Sequence, residues 1–448
     1  MKVAKFGGSS VASATQIEKV GNIIKTDSNR KFIVVSAPGK RNKKDFKITD
    51  MLIQIGNAFK NDEPYTEYMN IIVDRFSEII EELQLPPSIV TDIEQSIHAV
   101  LKNDDEEAIK LDALKAIGED SSAKILSAYL NEIGLQASYI NPQEAGIIVS
   151  NEPGNAHILS ESFSDIYALR KKDGILVIPG FFGYSKSGKL MTFSRGGSDI
   201  TGSIIAAGVK AELYENFTDV DSVYKVNPNF VSNPKKITTL TYKEMRELSY
   251  AGFSVFHDEA LIPAFRAQIP VCIKNTNKPD LPGTHIIAEK RSDEKCVVGI
   301  ASDTGFSSLY VSKYLMNQEV GFGRKLLQII EEEGVSFEHA PSGIDDLSVI
   351  IRQSKLTSEK ENNIISRIKN ELNPDMVAIQ KDLAVIMVVG EGLMNTIGIA
   401  GKATAAFAEA NVNIVMINQG SSEVSLMFGI EKEGLDRALQ SLYIAFFE

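Results

Sequence analysis

The sequence predicts an α/β protein: a three-layer αβα fold on a mostly parallel sheet, followed by two small βαββαβ modules. Three observations carry this. Short apolar strands alternate with helical patterns through the first half of the chain, as in parallel sheets covered on both faces. Two glycine pairs stand at helix starts in that half. The last third repeats itself, without a gap, at a shift of 77 positions.

The first strand, at 3–6, is apolar and runs into Gly7-Gly8. Ile17, Val20, Ile23 and Ile24 then recur at helical spacing, and an unbroken β-branched and aromatic run at 32–35 reads as a buried strand. From about 64 to 135 the pattern is helical and charged, which predicts a helical insertion or lid-like subregion. Strand signals return at 174–178, at 211–214 and on to Asn216, and at 269–273. Between the first two lies Arg195-Gly196-Gly197-Ser198-Asp199, followed by a small-residue helix at 200–209. A charged run at 288–295 marks the expected boundary between a domain at 1–288 and a second at 296–448.

Beyond that boundary the repeat superimposes Gly321 on Gly398, Lys325 on Lys402, Glu332 on Glu409, Val335 on Val412, Gly343 on Gly420 and Ser348 on Ser425. Each unit reads as strand, glycine turn, helix, strand, turn, strand and helix, a ferredoxin-like pattern. Duplication explains the agreement of periodicity and turn position better than chance does.

Composition sets limits. At 448 residues the chain exceeds the ~250–300 residues at which one core stops growing, so at least two domains are expected. Apolar residues make up 43% and charged residues 24%, which disfavours disordered, collagen-like and membrane classes. A net charge of −12 repels nucleic acid and anionic membranes, so neither is an expected partner. The basic stretch Lys40-Arg41-Asn42-Lys43-Lys44 carries no aromatic residue and reads as a solvated loop. Cys272 and Cys296 are too few for a disulfide framework or a four-ligand metal site. No apolar run approaches the ~18 residues of a membrane helix, and the opening residues leave no room for a signal peptide. A cytoplasmic protein is expected.

Chemistry is expected first at Lys5-Phe6-Gly7-Gly8-Ser9-Ser10. Two glycines after a buried strand let the backbone approach an anion, and a helix start offers free N–H groups. A plain strand–turn–helix junction remains open as an alternative. Arg195-Gly196-Gly197-Ser198-Asp199 repeats the logic, with an arginine able to clamp a carboxylate. Asp199 has a bland alternative too, as the N-cap of the following helix. The third segment, Thr218-Asp219-Val220-Asp221, falls at a carboxyl strand end, where open α/β sheets bind ligands. A metal site there is the weaker reading, because Asp219 and Asp221 point oppositely along a strand. Gly183-Tyr184-Ser185-Lys186-Ser187-Gly188-Lys189-Leu190 has P-loop spacing but ends in Leu190, which has no hydroxyl for Mg²⁺; a lysine-tipped hairpin is expected. No histidine pair shows ligand spacing, and His257 and His339 read as structural.

Taken together these segments resemble the aspartokinase family, within the amino acid kinase superfamily, over essentially the whole chain. The resemblance rests on the glycine turns above, with Val35-Ser36-Ala37, Gly118-Glu119, Gly180-Phe181, Asn275-Thr276 and Pro282-Gly283-Thr284. It implies an amino acid kinase (carbamate kinase-like) fold and ATP- and Mg²⁺-dependent phosphorylation of the β-carboxylate of L-aspartate. By family position Arg195 and Glu119 would hold the substrate's carboxylate and ammonium, and Ser36, Thr49, Phe181, Gly196 and Ser198 would complete the pocket. Lys5, Gly7, Gly8 and Ser9 would face the transferring phosphoryl group, with Asp199 orienting Lys5. Thr218, Asp219 and Tyr224 would line the nucleotide site, and Lys274 or Lys278 its far edge. No metal-ligating set of protein residues is expected. Many relatives carry a basic residue where this chain has Asn229; Lys225, Lys235 or Lys236 would have to replace it.

The repeated modules resemble ACT domains, one inserted within the other: about 306–378 for the first, and about 296–304 with 382–448 for the second. This implies feedback by an amino-acid effector, lysine or threonine or both, and a homodimer or dimer of dimers through these modules. Met316, Gly321, Phe322, Ser336 and Glu338 are the expected effector residues, although Met316 and Phe322 read equally as core. The rivals are another amino acid kinase, such as a glutamate 5-kinase or uridylate kinase, and a catalytically silent amino-acid sensor. The tandem repeat disfavours the first rival. The presence of Lys5, Glu119, Arg195 and Asp199 disfavours the second.

Overall fold

The strand Lys2–Phe6 runs between two parallel neighbours, Arg30–Val35 and Leu213–Thr218. Arg30–Val35 ends in the continuous apolar run of a strand buried on both faces, with Phe32, Ile33, Val34 and Val35 fully buried. The other two carry buried polar residues, Lys5 in one and Glu215 and Asn216 in the other. The computed structural model describes residues 1–253, 259–290, 296–420 and 424–448, and within these the chain forms two compact units. His257 and the stretch 291–295 of the expected boundary lie outside the described residues.

The first unit holds an eight-stranded sheet in the order Ala137–Tyr139, Ile175–Pro179, Arg30–Val35, Lys2–Phe6, Leu213–Thr218, Val271–Asn275, Thr284–Ile287 and Thr239–Thr241. Only the pairing of Val271–Asn275 with Thr284–Ile287 is antiparallel. The expected helical stretch from about 64 to 135 holds three helices, Thr66–Glu82, Ser88–Lys102 and Glu107–Glu132, and a further helix, Ile48–Lys60, precedes it. In Thr66–Glu82, Met69, Ile72, Phe76, Ile79 and Ile80 fall on one stripe and are buried. Phe182–Ser185 and Leu190–Thr192 pair antiparallel around Gly188, whose φ of 79° suits the turn, so the P-loop-like sequence is the expected hairpin.

Several element bounds differ from the sequence reading. The strand expected from 211 begins at Leu213, because Ala211 still bonds back to Ala206 at the end of the preceding helix. The small-residue helix starts earlier, at Gly197.

The second unit gathers two earlier segments, Tyr224–Lys235 and Arg246–Phe253, with 291–448. Ile300 N–H donates to the Lys225 carbonyl at 2.7 Å, and Val226 shares a core with Val297 and Ile300. Its sheet runs Phe337–His339, Asp346–Arg352, Gly299–Ser312, Met376–Val389, Ser425–Glu431, Ile414–Asn418. The two central strands are each 14 residues long. Residues 299–304 pair with 384–389, and 308–312 with 376–380, with register shifts around Gly305, whose φ is 83°. Two apolar cores result, one around Leu309, Leu326 and Ile364 and the other around Ile386, Phe407 and Leu439. The helices Phe322–Glu332 and Ile399–Glu409 match at the repeat's own shift, each capped by a left-handed glycine, Gly321 or Gly398.

Candidate active site

Lys5 stands one residue before the end of its strand and is buried, although charged. A buried ammonium is costly without a partner. Its partner is Asp199, with Nζ 2.6 Å from Oδ1. Asn216, the register neighbour of Lys5 on the adjacent strand, donates Nδ2 to that same oxygen at 2.5 Å. The Tyr214 hydroxyl donates to the Asp199 backbone carbonyl at 3.2 Å. Asp199 is thus held by three residues of two strands.

The glycine turn follows directly. Gly7 N–H donates to the Phe217 carbonyl at 3.0 Å, and Gly8–Val11 forms a short 3₁₀ turn. Ser13 then caps the helix Ala14–Lys25. A Cβ on Gly8 would stand 2.9 Å from the Ala37 carbonyl oxygen, and one on Gly39 would stand 2.8 Å from the Gly8 carbonyl carbon. These two backbones meet with no room for a side chain. A Cβ on Gly7 would reach 3.5 Å from Lys5 Nζ, so the open face of Gly7 lies over the ammonium. The Ser10 and Thr276 hydroxyls, 2.6 Å apart, tie the turn to the end of the Val271–Asn275 strand.

At the second turn, Gly196 (φ 75°) caps the helix Gly197–Gly208, and no side chain serves as its cap. The alternative of Asp199 as N-cap is therefore corrected. Its carboxylate lies in the first turn, where the helix dipole favours it, but the buried Lys5 ammonium takes it. The two glycine turns meet through this pair. Arg195, one residue before Gly196, is exposed and makes no ion pair or hydrogen bond among the described residues.

Glu119 lies in the helix Glu107–Glu132 and is buried, with Oε2 lacking any hydrogen-bond partner. Burial pushes its carboxyl up to about 8, against the lowering pull of backbone amides at Ala37 and Glu119 and of the Lys5 charge. Asp112, on the same helix, accepts from the backbone N–H groups of Gly154 and Thr192 at 2.7 Å each. It thereby pins the strand that leads toward Arg195. Ser36 N–H donates to the Phe6 carbonyl at 3.1 Å, and Thr49 sits in the first turn of Ile48–Lys60. Phe181 is held at φ 78°, its N–H donating to Thr201 Oγ1 at 2.9 Å; such a backbone costs about 1–3 kcal/mol and clusters at functional sites. A Cβ on Gly180 would strike Ser198 Oγ at 2.7 Å, so Ser198 packs directly on that turn.

At the carboxyl end of Leu213–Thr218, Thr218 donates its hydroxyl to Asp219 Oδ1 at 3.2 Å, and Asp219 is exposed. Asp221 turns back: Asn275 Nδ2 donates at 2.7 Å, and Lys278 and Lys236 stand at 3.1 and 3.4 Å. Those three hold its carboxyl below the usual range. Lys274 lies over the Phe217 ring at 5.9 Å. Tyr224 belongs to the second unit. So do Lys225, stacked 4.5 Å from the Phe447 ring, and Lys235, bonded to the Phe447 carbonyl. Of the three lysines considered as stand-ins at Asn229, Lys236 alone lies in the unit that holds the glycine turns. Among the described residues no cluster of three or more His, Cys, Asp or Glu side chains is arranged to hold a metal.

In the second unit, Met316 and Phe322 lie in the core of the first module, and Gly321 caps its helix. Ser336 is exposed, 3.4 Å from Lys355 Nζ. Glu338 accepts from the Tyr250 hydroxyl at 2.5 Å and faces Arg352 Nε at 3.6 Å. His339 stands 3.2 Å from the same hydroxyl, in a packed setting. The basic loop is ordered by its own acids: Arg41 pairs with Asp45 and Glu78.

Asn216 and Tyr214 hold Asp199 and have no role in the sequence reading, which names Asn275 and Thr276 only as a family motif. An asparagine inside the apolar strand Leu213–Thr218 was the available signal, since buried amides need partners.

Comparison with known proteins agrees in family and in fold. The amino acid kinase family model matches residues 1–275, and an ACT domain model matches residues 386–446. Aspartokinase 3 of Bacillus subtilis (strain 168) is 54% identical over 448 residues, covering 100% of this chain and 99% of that protein. The crystal structure of Clostridium acetobutylicum aspartate kinase superimposes with a TM-score of 0.88 at 41% identity, covering both chains fully. Two crystal structures of E. coli aspartokinase III, one in complex with aspartate and ADP and one with lysine and aspartate, share the fold at 23% identity. Their TM-scores are 0.82 and 0.80, and both chains are fully covered in each.

Proposed function

The chain belongs to the amino acid kinase family as an aspartokinase, and on that premise we propose that it moves the γ-phosphoryl group of ATP to the β-carboxylate of L-aspartate, giving 4-phospho-L-aspartate. The observation that carries this reading is the Lys5–Asp199 contact, which joins a turn bearing a buried lysine to one bearing an exposed, unpartnered arginine.

A carboxylate is already nucleophilic at neutral pH, so no activating base is required. Catalysis then consists of holding two anions in line and offsetting the charge that develops between them. Lys5 supplies the ammonium, kept in place by Asp199 and Asn216. Gly8 and Ser9 supply backbone N–H groups, and the crowding of Gly8 against Ala37 and Gly39 fixes their direction, while Gly7, its own N–H bonded to Phe217, leaves its open face over the Lys5 ammonium. Arg195 clamps the α-carboxylate and Glu119 receives the ammonium, which gives the unpartnered Oε2 its partner. Ser36, Thr49, Phe181 and Ser198 shape the rest of the pocket. Thr218, Asp219, Lys274 and Lys278 serve the nucleotide, with Lys236 in place of the missing basic residue at Asn229. Mg²⁺, brought with the nucleotide rather than held by a cluster of side chains, would supply further charge neutralisation.

The test is ADP release from ATP across aspartate, glutamate, N-acetylglutamate and UMP. Aspartate is expected to be the substrate; turnover with glutamate alone would replace this reading with the glutamate-kinase one.

This reaction opens the biosynthesis of lysine, threonine and methionine, and the second unit is the sensor of an end product. Lysine is the preferred effector, because Glu338 offers a carboxylate that a cationic ligand can take from Arg352 and Tyr250. Assembly as a homodimer, or a dimer of dimers, is supported by the two edge strands Phe337–His339 and Ile414–Asn418, which expose Phe337, Val415 and Ile417. Both cysteines are free, in keeping with a reducing cytoplasm.

A further inference from the structure

Arg75 lies on the helix Thr66–Glu82 among Ile72, Phe76 and Ile79, and is only 3% exposed. An arginine on an apolar stripe is not there for helix packing, and a buried guanidinium persists only where its hydrogen bonds are worth more than its dehydration costs. Its two bonded nitrogens reach one segment. Nη1 donates to the Gly39 carbonyl at 3.1 Å, and Nη2 pairs with Asp45 Oδ1 at 2.5 Å. Asp45 also accepts from Arg41, through the backbone N–H at 2.8 Å and Nε at 3.0 Å, closing the loop between Gly39 and Asp45.

Gly39 is the residue whose backbone rests on the glycine turn. Its N–H donates to the Gly8 carbonyl at 2.9 Å, and the two backbones are too close for a Cβ on either. The chain Arg75–Gly39–Gly8 is therefore continuous: guanidinium to carbonyl, then the amide of the same residue to the next carbonyl. Ser36 and Ala37, at the start of the same segment, bond to Phe6 and to Glu119.

We propose that Arg75 is a positioning residue for phosphoryl transfer, holding Gly39 and Asp45 so that the Gly8 turn keeps its N–H groups aimed at the transferring group. This rests on the kinase reading given above. Because Arg75 touches neither substrate, its loss should appear in turnover rather than in aspartate binding: a small misplacement of the turn is enough for a loss on the order of 100-fold.

The test uses the full chain carrying Arg75→Ala, Arg75→Lys and Asp45→Asn, with ADP release measured against both substrates. Arg75→Ala is expected to lower kcat by about 10- to 100-fold, with the aspartate KM within about threefold of the parent. Millimolar methylguanidine should restore part of that turnover, and a merely structural role would not respond to it. Should Arg75→Ala fail to fold by circular dichroism, the other two variants decide. Each is expected to lose at least about threefold in kcat, since each removes part of the bonding to the loop. Folded variants with parental kcat overturn the proposal. A parent chain that does not phosphorylate aspartate overturns the kinase reading instead.

Discussion

Lys5 and Asp199 come from the first strand and from the helix after the second glycine turn, and they meet at 2.6 Å with Asn216 bonded to the same carboxylate oxygen. On the mechanism proposed above, the pair would serve the chemistry as well as the fold. Lys5→Ala is expected to cut kcat by about 100- to 1,000-fold, the scale of losing one preorganised charge at a developing anion, with a much smaller change in the aspartate KM. Asp199→Asn should cost less, and the double variant should fall well short of the product of the singles, because the residues act as a unit. Steady-state ADP release decides it; parental turnover in Lys5→Ala would remove this residue from the chemistry.

Arg195 is expected to behave differently because it is exposed and has no partner among the described residues. Arg195→Ala is expected to raise the aspartate KM about 10- to 100-fold, equivalent to about 1.5–3 kcal/mol of charged hydrogen bonding, and to leave Tm unchanged. A variant with a lowered Tm and an unaltered KM would show the arginine to be structural.

In the proposed site Glu119 would make the aspartate affinity pH-dependent. Its carboxyl, pushed up to about 8 by burial, is largely neutral in the free protein at pH 6–7, yet it must ionise to hold an ammonium. The aspartate KM should therefore fall as pH rises toward 8, by up to about tenfold per unit, and level off above it. Glu119→Gln should be weak and flat across the range. Stability runs the other way: the folded carboxyl holds its proton more tightly than the unfolded one. Its contribution is thus full below the ordinary carboxylate range and lost as pH climbs to about 8. Thermal shift by aspartate, larger at pH 8 than at pH 6.5, is the companion measurement.

Glu338→Ala removes the carboxylate that faces Arg352 and Tyr250. The lysine concentration for half-inhibition is expected to rise at least about tenfold, the scale on which a single hydrogen bond to a charged group acts. Inhibition curves with lysine, with threonine and with both would show whether the site is elsewhere.

Arg30, opposite Lys2 at the start of its strand, and Glu215, opposite Ala4, form a buried bidentate pair at 2.6 and 3.0 Å. Arg30→Met leaves Glu215 uncompensated and is expected to cost about 3–5 kcal/mol of unfolding free energy. Turnover below the transition should stay near the parent's. Urea titration and kcat at low temperature separate the two.

Local signals carried much of the architecture. Glycine pairs, apolar runs and the repeat were visible because each is written in neighbouring residues, and the repeat shift reproduces the bounds of Phe322–Glu332 in Ile399–Glu409. What stayed hidden is long-range. Asp199 resembles a cap in sequence because its partner lies at the far end of the domain's chain. Arg75 and Asp45 are 30 residues apart and form no local pattern at all. The strands Thr239–Thr241 and Thr284–Ile287 are three and four residues long, too short for periodicity to register. Tyr224, Lys225 and Lys235 sit near one candidate motif in sequence, but the chain carries them into the other unit.

The two long central strands of the second unit belong to neither half of the duplication alone. Each runs through both modules, yet its pairing stays inside one at a time: 299–304 with 384–389, and 308–312 with 376–380. The backbone thus crosses from one module to the other twice, so the duplicated halves are joined by two covalent strands rather than by a single linker.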